Sequence, residues 1–212
     1  MAKKLSVNRV VVIGGFASNR EVIEKIGRAL VDELRLFDEF AAFTMYEAAA
    51  RPDQLRRAAA GQTVVMHSAG ALLTPQLKSL ELKSAHFIAP PVPKTLADLP
   101  KQKRDFANSP LENDPCTYHD HMPYYYKQLP RICRADGLQL ARELADAGVG
   151  VHVGVMNRDA YFALDDDYRR RIAKSGLDVV EITHGSRGAG HSAVQNFPAE
   201  ILREYFAKIQ AI

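Results

Sequence analysis

The feature that most constrains this chain is an apolar segment that stops at a serine followed by two small residues. Residues 63–67 form a largely β-branched run, and Ser68, Ala69 and Gly70 follow it at once, before another apolar stretch. The pattern predicts a buried strand that turns sharply into a helix, with the serine at the apex of the turn. Such a turn would lift the serine oxygen clear of the sheet.

Short apolar runs of this kind recur along the chain and alternate with amphipathic segments. Strands are predicted over 9–13, 40–45, 63–67, 85–89, 151–156 and 179–183. Helices are predicted over 20–37, 52–60, 132–147, 165–174 and 198–209, and also after Ser68, where Pro75 should kink or shorten the helix. Because alternating strands and helices imply right-handed crossovers, we expect about six mostly parallel strands with helices on both faces.

Length, charge and cysteine content restrict the class of protein. A chain of 212 residues suits one domain with a full core, so we expect a single domain over 1–212. The formal charge of +3 is small and its basic clusters are short and separate, so no nucleic-acid partner is expected. The first apolar run is too short for a signal core or a membrane span. Cys116 and Cys133 imply no disulfide framework, and a reduced, cytoplasmic setting is expected.

Two later segments supply the groups that a nucleophilic serine needs. Asp159 follows the strand over 151–156, and His191 lies in a glycine-rich loop after the strand over 179–183. A serine hydroxyl is a poor nucleophile at neutral pH, so it needs a base in contact with it and a carboxylate that orients the base. We therefore predict Ser68 as the nucleophile, His191 as general base and then acid, and Asp159 as the orienting carboxylate.

Each of these assignments has an alternative. Ser68 could simply cap a helix, and Asp159 could be an ordinary loop carboxylate. The residues over 165–167 are three further aspartates, although they are more typical of a helix N-terminus, where the macrodipole favours negative charge. His184 is the alternative base, but it directly follows a predicted strand and could be structural.

Serine, acid and histidine in this order, with the serine on a strand–turn–helix, resemble the α/β-hydrolase superfamily. The resemblance extends from residue 10 to 209 and implies an α/β-hydrolase fold of minimal size, without the first two antiparallel strands of the full fold. The family motif is Gly-x-Ser-x-Gly, and Met66 stands at its first glycine. Because strand and helix pack closely there, the Met66 side chain is expected to point elsewhere.

The resemblance also implies an oxyanion hole made of two backbone N–H groups. One donor should be Ala69, the residue after the nucleophile. The other should be Phe16, in the loop after the first strand, where the glycine pair at 14–15 otherwise permits a tight turn. Gly15 and His67 are predicted to contribute to substrate binding, and His67 is expected to be buried against the sheet.

The segment over 92–130 breaks the alternation of strands and helices, since it is rich in proline and poor in strand signal. We expect a cap-like insertion over the carboxyl ends of the strands, where open α/β sheets bind ligands. Met122, Tyr124 and Tyr125 are predicted to wall a pocket for an apolar acyl group. The alternative is that these residues only pack the cap onto the body.

The same segment holds His119, Asp120 and His121, and imidazole and carboxylate groups are good zinc ligands. Alternating residues on a loop supply few ligands and no matching distant pair is evident, so we expect no metal and no other cofactor.

Together these residues predict a carboxylesterase-like or thioesterase-like serine hydrolase. It would cleave a small-molecule ester or thioester through an acyl-enzyme intermediate. The alternative is a non-catalytic binding or interaction protein that retains the fold, which Met66 and the altered glycine pair at 14–15 favour. The sequence predicts neither the acyl group, nor the leaving group, nor the oligomeric state.

Overall fold

Six parallel strands form the sheet of the computed structural model, which describes residues 7–16, 18–93, 121–162 and 164–212. The strands are β1 (Arg9–Ile13), β2 (Glu39–Phe43), β3 (Thr63–His67), β4 (Ser84–Ile88), β5 (Val151–Met156) and β6 (Asp178–Ile182). The order across the sheet is β2-β1-β3-β4-β5-β6, and every neighbouring pair is parallel. The predicted doubly wound parallel sheet is confirmed.

The composition of each strand follows its place in the sheet. The inner strands β1 and β3 are almost wholly buried, because helices cover both of their faces, and they read as continuous apolar runs. The edge strands β2 and β6 are partly exposed and carry charged residues. The bounds of β1, β3 and β5 are those predicted, since buried runs give the clearest signal.

Helices lie on both faces of the sheet. The helices of the described residues are α1 (Arg20–Arg28), α2 (Met45–Ala50), α3 (Pro52–Ala59), α4 (Thr74–Leu77), α5 (Met122–Arg134), α6 (Gly137–Asp146), α7 (Asp166–Ser175), α8 (Ala193–Asn196) and α9 (Pro198–Gln210). Helices α1, α8 and α9 pack on one face, and helices α2, α3, α4, α6 and α7 pack on the other. A π-helical turn (Ala29–Glu33) extends α1, and a 3₁₀ helix (Ser68–Leu73) precedes α4.

Three predicted elements differ from the observed ones. The helix predicted to reach residue 37 ends at the π-helical turn, and Arg35 beyond it has a left-handed φ of 54°. The strand predicted to reach residue 45 ends earlier, because Thr44 and Glu47 form a capping box that starts α2. The helix predicted over 132–147 is two helices, because Asp136 accepts hydrogen bonds from the Leu138 and Gln139 amides in the first turn of α6.

The chain reverses its direction of winding between β1 and β3. It passes from β1 outwards to β2, and then returns to the other side of β1 to form β3. The loops after β1 and β3 therefore diverge and leave a crevice at the carboxyl edge of the sheet, where open α/β sheets bind ligands. Gly15 and Ser68 lie on these two loops.

Most of the predicted cap-like insertion, residues 94–120, lies outside the described residues, so the cap stays a prediction. Helix α5 begins in the last part of the predicted insertion and contains Pro130. None of the described helices has both the length and the apolar character needed to cross a membrane.

Candidate active site

Ser68 stands at the turn between β3 and the 3₁₀ helix. Its φ of 50° lies in the left-handed region, which is strained for a residue with a side chain. Gly70 allows the turn to pack against β1, because a Cβ at this position would lie 2.8 Å from the carbonyl oxygen of Ile13. The strand, the sharp turn and the close approach to β1 match the geometry expected of a nucleophile elbow.

Met66 corrects one expectation. Its side chain does not avoid the layer between β3 and the following helix, but is completely buried there. The Thr74 hydroxyl oxygen of α4 lies 4.0 Å from the Met66 sulfur. The elbow accommodates methionine because the thioether is flexible enough to fill an irregular gap. Regular α-helix begins only at Thr74.

The structure brings Ser68, His191 and Asp159 together. His191 Nε2 lies 2.8 Å from Ser68 Oγ, and His191 Nδ1 lies 2.8 Å from Asp159 Oδ2. All three residues are buried, with exposed fractions of 5%, 8% and 5% for Ser68, His191 and Asp159. A carboxylate can only accept, so Nδ1 carries the imidazole hydrogen in the neutral ring. Nε2 is then the acceptor for the Ser68 hydroxyl, which is the arrangement that a general base requires.

Asp159 is held as a carboxylate by its neighbours. Burial by itself would raise the pKa of this carboxyl group. The charge and hydrogen bond of His191, together with the Phe162 and Tyr161 amides, more than offset that effect and lower the pKa. Asp159 Oδ1 accepts both amides at 2.7 Å. The second oxygen is therefore left for His191.

The alternative acid and base lie elsewhere. Asp165 caps α7 by accepting a hydrogen bond from the Tyr168 amide at 2.8 Å, and Asp167 pairs with Arg171 on the same helix. His184 Nε2 lies 2.7 Å from a Glu200 carboxylate oxygen. These contacts are those of helix termini and surface ion pairs, as the sequence indicated for the aspartates.

The loop after β1 comes close to the serine at Gly15. A Cβ on Gly15 would lie 2.8 Å from the Ser68 Cβ, so only glycine fits at this point of the loop. The Phe16 amide comes next in the same loop. The Ala69 amide belongs to the first turn of the 3₁₀ helix, where backbone N–H groups have no partner within the helix.

Aromatic side chains from α5 pack above this loop. Tyr125 is completely buried and contacts Phe16 edge-on, with ring centroids 5.7 Å apart. Tyr124 contacts Tyr125 and Tyr46 in the same way, at 5.3 and 5.4 Å. Ala69 is part of this cluster, which places α5 beside the serine. Because Tyr125 is completely buried, it belongs to the packed interior of this cluster, whereas Tyr124 is half-buried at its edge. The structure describes no side chain for Met122.

His67 lies under the site, not on its surface. Its side chain is buried, as expected, and Nε2 lies 3.2 Å from the His191 carbonyl oxygen. Nδ1 lies 3.4 Å from Gln195 Nε2, which also donates to Ser18 Oγ at 3.1 Å. Both ring nitrogens of His67 thus face protein atoms, and the contribution of this residue to substrate binding stays a prediction. Sequence reasoning missed Gln195 and Ser18. The one available signal was that Gln195 is a polar residue in the short helix α8.

Among the described residues, no group of three or more histidine, cysteine, aspartate or glutamate side chains is arranged to hold a metal ion. His119 and Asp120, two of the three candidate zinc ligands in the sequence, lie outside the described residues. His121 is described, and its ring stacks on Tyr46 with centroids 3.6 Å apart.

Known proteins similar to this chain are found by structure and not by sequence. No family model matches the sequence, and no curated protein matches it significantly. An enol-lactonase from Burkholderia xenovorans LB400 superposes with a TM-score of 0.63 at 11% identity, over 100% of this chain and 94% of that one. A hydrolase from Oleispira antarctica gives 0.60 at 12% identity, over 96% and 91% of the two chains. A bacterial membrane phospholipase A gives 0.65 at 10% identity, over 98% and 80%.

The chain has the α/β-hydrolase fold. In α/β-hydrolase enzymes the nucleophile, the acid and the histidine follow one another in that chain order. Ser68, Asp159 and His191 occur in the same order here, after β3, β5 and β6.

Proposed function

We propose that this protein is a serine hydrolase that cleaves a small carboxylic ester or thioester through an acyl-enzyme intermediate. The observation that carries the proposal is the buried chain of hydrogen bonds from Ser68 through His191 to Asp159, with 2.8 Å at each step. Because the Asp159 carboxylate can only accept, the His191 ring hydrogen lies on Nδ1. His191 Nε2 is then the acceptor for the Ser68 proton.

In the proposed acylation, Ser68 Oγ forms a bond to the substrate carbonyl carbon while its proton passes to His191 Nε2. The carbonyl oxygen becomes an oxyanion, for which the amides of Ala69 and Phe16 are the proposed donors. His191 becomes a cation at this stage. The buried Asp159 carboxylate, 2.8 Å from Nδ1, stabilises that charge.

The intermediate then collapses. The carbonyl re-forms, the bond to the leaving oxygen or sulfur breaks, and His191 returns its proton to the leaving group. Water takes the place of the leaving group, gives a proton to His191 and attacks the acyl carbon. A second collapse releases the carboxylic acid and restores the Ser68 hydroxyl, so protons balance over the cycle.

Two further observations support an apolar ester as the substrate. Two of the proteins with a similar fold are an enol-lactonase and a phospholipase A. Phe16, Tyr124 and Leu72 are partly exposed members of the aromatic cluster around Ala69. An acyl group bound with its carbonyl oxygen at Ala69 would extend along these side chains, which favours apolar over charged acyl groups.

The test combines covalent labelling with turnover. Wild-type protein should react with a fluorophosphonate at Ser68 and hydrolyse p-nitrophenyl butyrate, whereas Ser68→Ala should lose both properties. A fall of about 10⁶-fold in kcat is expected for loss of a triad nucleophile. His191→Ala should lose the same two properties. His184→Ala is the matched control and should retain activity. Labelling at another residue, or full turnover by Ser68→Ala, would refute the proposal. Absence of labelling in a folded wild-type protein would favour a non-catalytic binding protein.

A further inference from the structure

The base of the proposed mechanism is carried by a long loop. Residues 183–192 connect β6 to α8, and His184, Gly185 and Gly188 in this loop adopt left-handed φ values. Such a loop does not position a side chain to a fraction of an ångström by itself. The contacts that fix its main chain next to His191 therefore decide where the imidazole lies.

One of these contacts comes from the residue before the nucleophile. The carbonyl of His191 can only accept a hydrogen bond, so His67 Nε2, 3.2 Å away, must carry the hydrogen of that ring. His67 Nδ1 is then an acceptor in the neutral ring. Gln195 Nε2 lies 3.4 Å from it and supplies the donor.

The second amide hydrogen of Gln195 goes to Ser18 Oγ at 3.1 Å, so both amide hydrogens are used. Ser18 follows the loop that contains Phe16, and its amide donates to the Gly15 carbonyl at 3.3 Å. The three side chains thus connect the loops that carry the proposed oxyanion donor, nucleophile and base.

The network is buried and uncharged. His67, Gln195 and Ser18 have exposed fractions of 2%, 9% and 4%. Burial, followed by the proximity of His191, lowers the pKa of His67 to about 3. A neutral His67 keeps one hydrogen arrangement over the working pH range. It also adds no positive charge beside His191, whose ring centroid lies 5.2 Å away.

We propose that His67, Gln195 and Ser18 form a positioning network that holds the main chain of His191, and so keeps its imidazole in register with Ser68. His67 is a positioning residue in this arrangement and touches no substrate. The inference rests on the proposed function, because its catalytic consequence requires His191 to be the base. Its geometric consequence, the fixed place of the His191 ring, can be measured without turnover.

Two substitutions at one position separate positioning from simple packing. The amide nitrogen of glutamine occupies the place of histidine Nε2, whereas that of asparagine occupies the place of Nδ1. His67→Gln can therefore still donate to the His191 carbonyl, and His67→Asn cannot reach it. Because a misplacement of about 1 Å at a reacting group costs up to about 100-fold, kcat should fall about 10- to 100-fold in His67→Asn with KM unchanged. His67→Gln should stay within about threefold of wild type, as expected for a hydrogen bond that is kept.

A histidine in the neighbouring strand supplies the matched control. His86 in β4 has an exposed fraction of 5%, and its Nδ1 lies 3.1 Å from the Tyr205 hydroxyl. Burial also lowers its pKa to about 3. His86→Asn should lower the melting temperature as much as His67→Asn does, and should leave kcat unchanged.

An NMR measurement decides the question without depending on activity. The His191 Nδ1–H proton should give a protected low-field NMR signal in wild type and in His67→Gln, and should broaden or disappear in His67→Asn. Retention of both kcat and this signal in His67→Asn would overturn the network, as would equal losses in His67→Asn and His67→Gln. If wild type is not labelled at Ser68, the proposed function fails. The NMR measurement then still supports or overturns the positioning of His191.

Discussion

Replacing Asp159 by asparagine is a direct test of the proposed mechanism. The Asp159 Oδ1 atom accepts the amides of Tyr161 and Phe162 at 2.7 Å, and only an acceptor satisfies both. In Asp159→Asn the amide oxygen must therefore occupy this position. The amide nitrogen is then forced to the Oδ2 position, 2.8 Å from His191 Nδ1, where it acts as a donor.

The consequence is a reversed tautomer of His191. Nδ1 has to become the acceptor, so the ring hydrogen moves to Nε2 and faces Ser68 Oγ, where it blocks proton transfer. Loss of the correct tautomer costs about 10⁴-fold in kcat, which corresponds to about 5 kcal/mol in the activation barrier. Stability should change much less, by about 1–2 kcal/mol, because the two backbone hydrogen bonds are kept.

The assay is steady-state hydrolysis of p-nitrophenyl butyrate, together with ¹⁵N NMR of the His191 ring, which distinguishes protonated from unprotonated nitrogen. Asp165→Asn is the matched control, because Asp165 caps α7 and asparagine is an equally good cap. Its kcat should match that of wild type. A kcat for Asp159→Asn within tenfold of wild type, or an unchanged tautomer, would refute the reasoning.

Two further predictions concern the loop after β1 and acid stability. Gly15→Ala should lower kcat about 10- to 100-fold, since its Cβ would lie 2.8 Å from the Ser68 Cβ. In the control Gly150→Ala the nearest atom is 4.0 Å away, so a similar loss of kcat in both variants would contradict the steric argument. Burial would raise the pKa of Glu204, but its hydrogen bonds from Lys208, Thr183 and His184 lower it to about 2, from 4.5 when unfolded. The stability that Glu204 contributes is therefore full above pH 4.5 and lost towards pH 2, so urea unfolding of wild type and Glu204→Gln should converge over that range and not above it.

Local patterns in the sequence were sufficient for the sheet and for the position of the serine. Buried parallel strands need continuous apolar residues on both faces, so β1, β3 and β5 were predicted with their observed bounds. The small residues after Ser68 indicated the sharp turn, because only glycine at position 70 permits the approach to β1. Helix ends were predicted less well, since side-chain caps such as those of Thr44 and Asp136 compete with periodicity over a few residues.

Only the tertiary structure decided which histidine and which carboxylate meet the serine. Both histidines lie in one loop, and the aspartate at 159 and those over 165–167 follow the same strand, so the sequence alone left alternatives open. His191 and Ser68 are 123 positions apart in the chain, and His191 and Asp159 are 32 apart. Their contact depends on the order of β3, β4, β5 and β6 in the sheet and on the path of each loop beyond it.

The same distinction explains Met66 and His67. The sequence determined that both belong to a buried strand, and alternation along the strand placed them on opposite faces. Only packing decided that methionine fits beneath the elbow, and that both nitrogens of His67 face Gln195 and the His191 carbonyl. A residue's secondary structure follows from neighbours along the chain, whereas its hydrogen-bond partners follow from segments that meet only when the sheet is assembled.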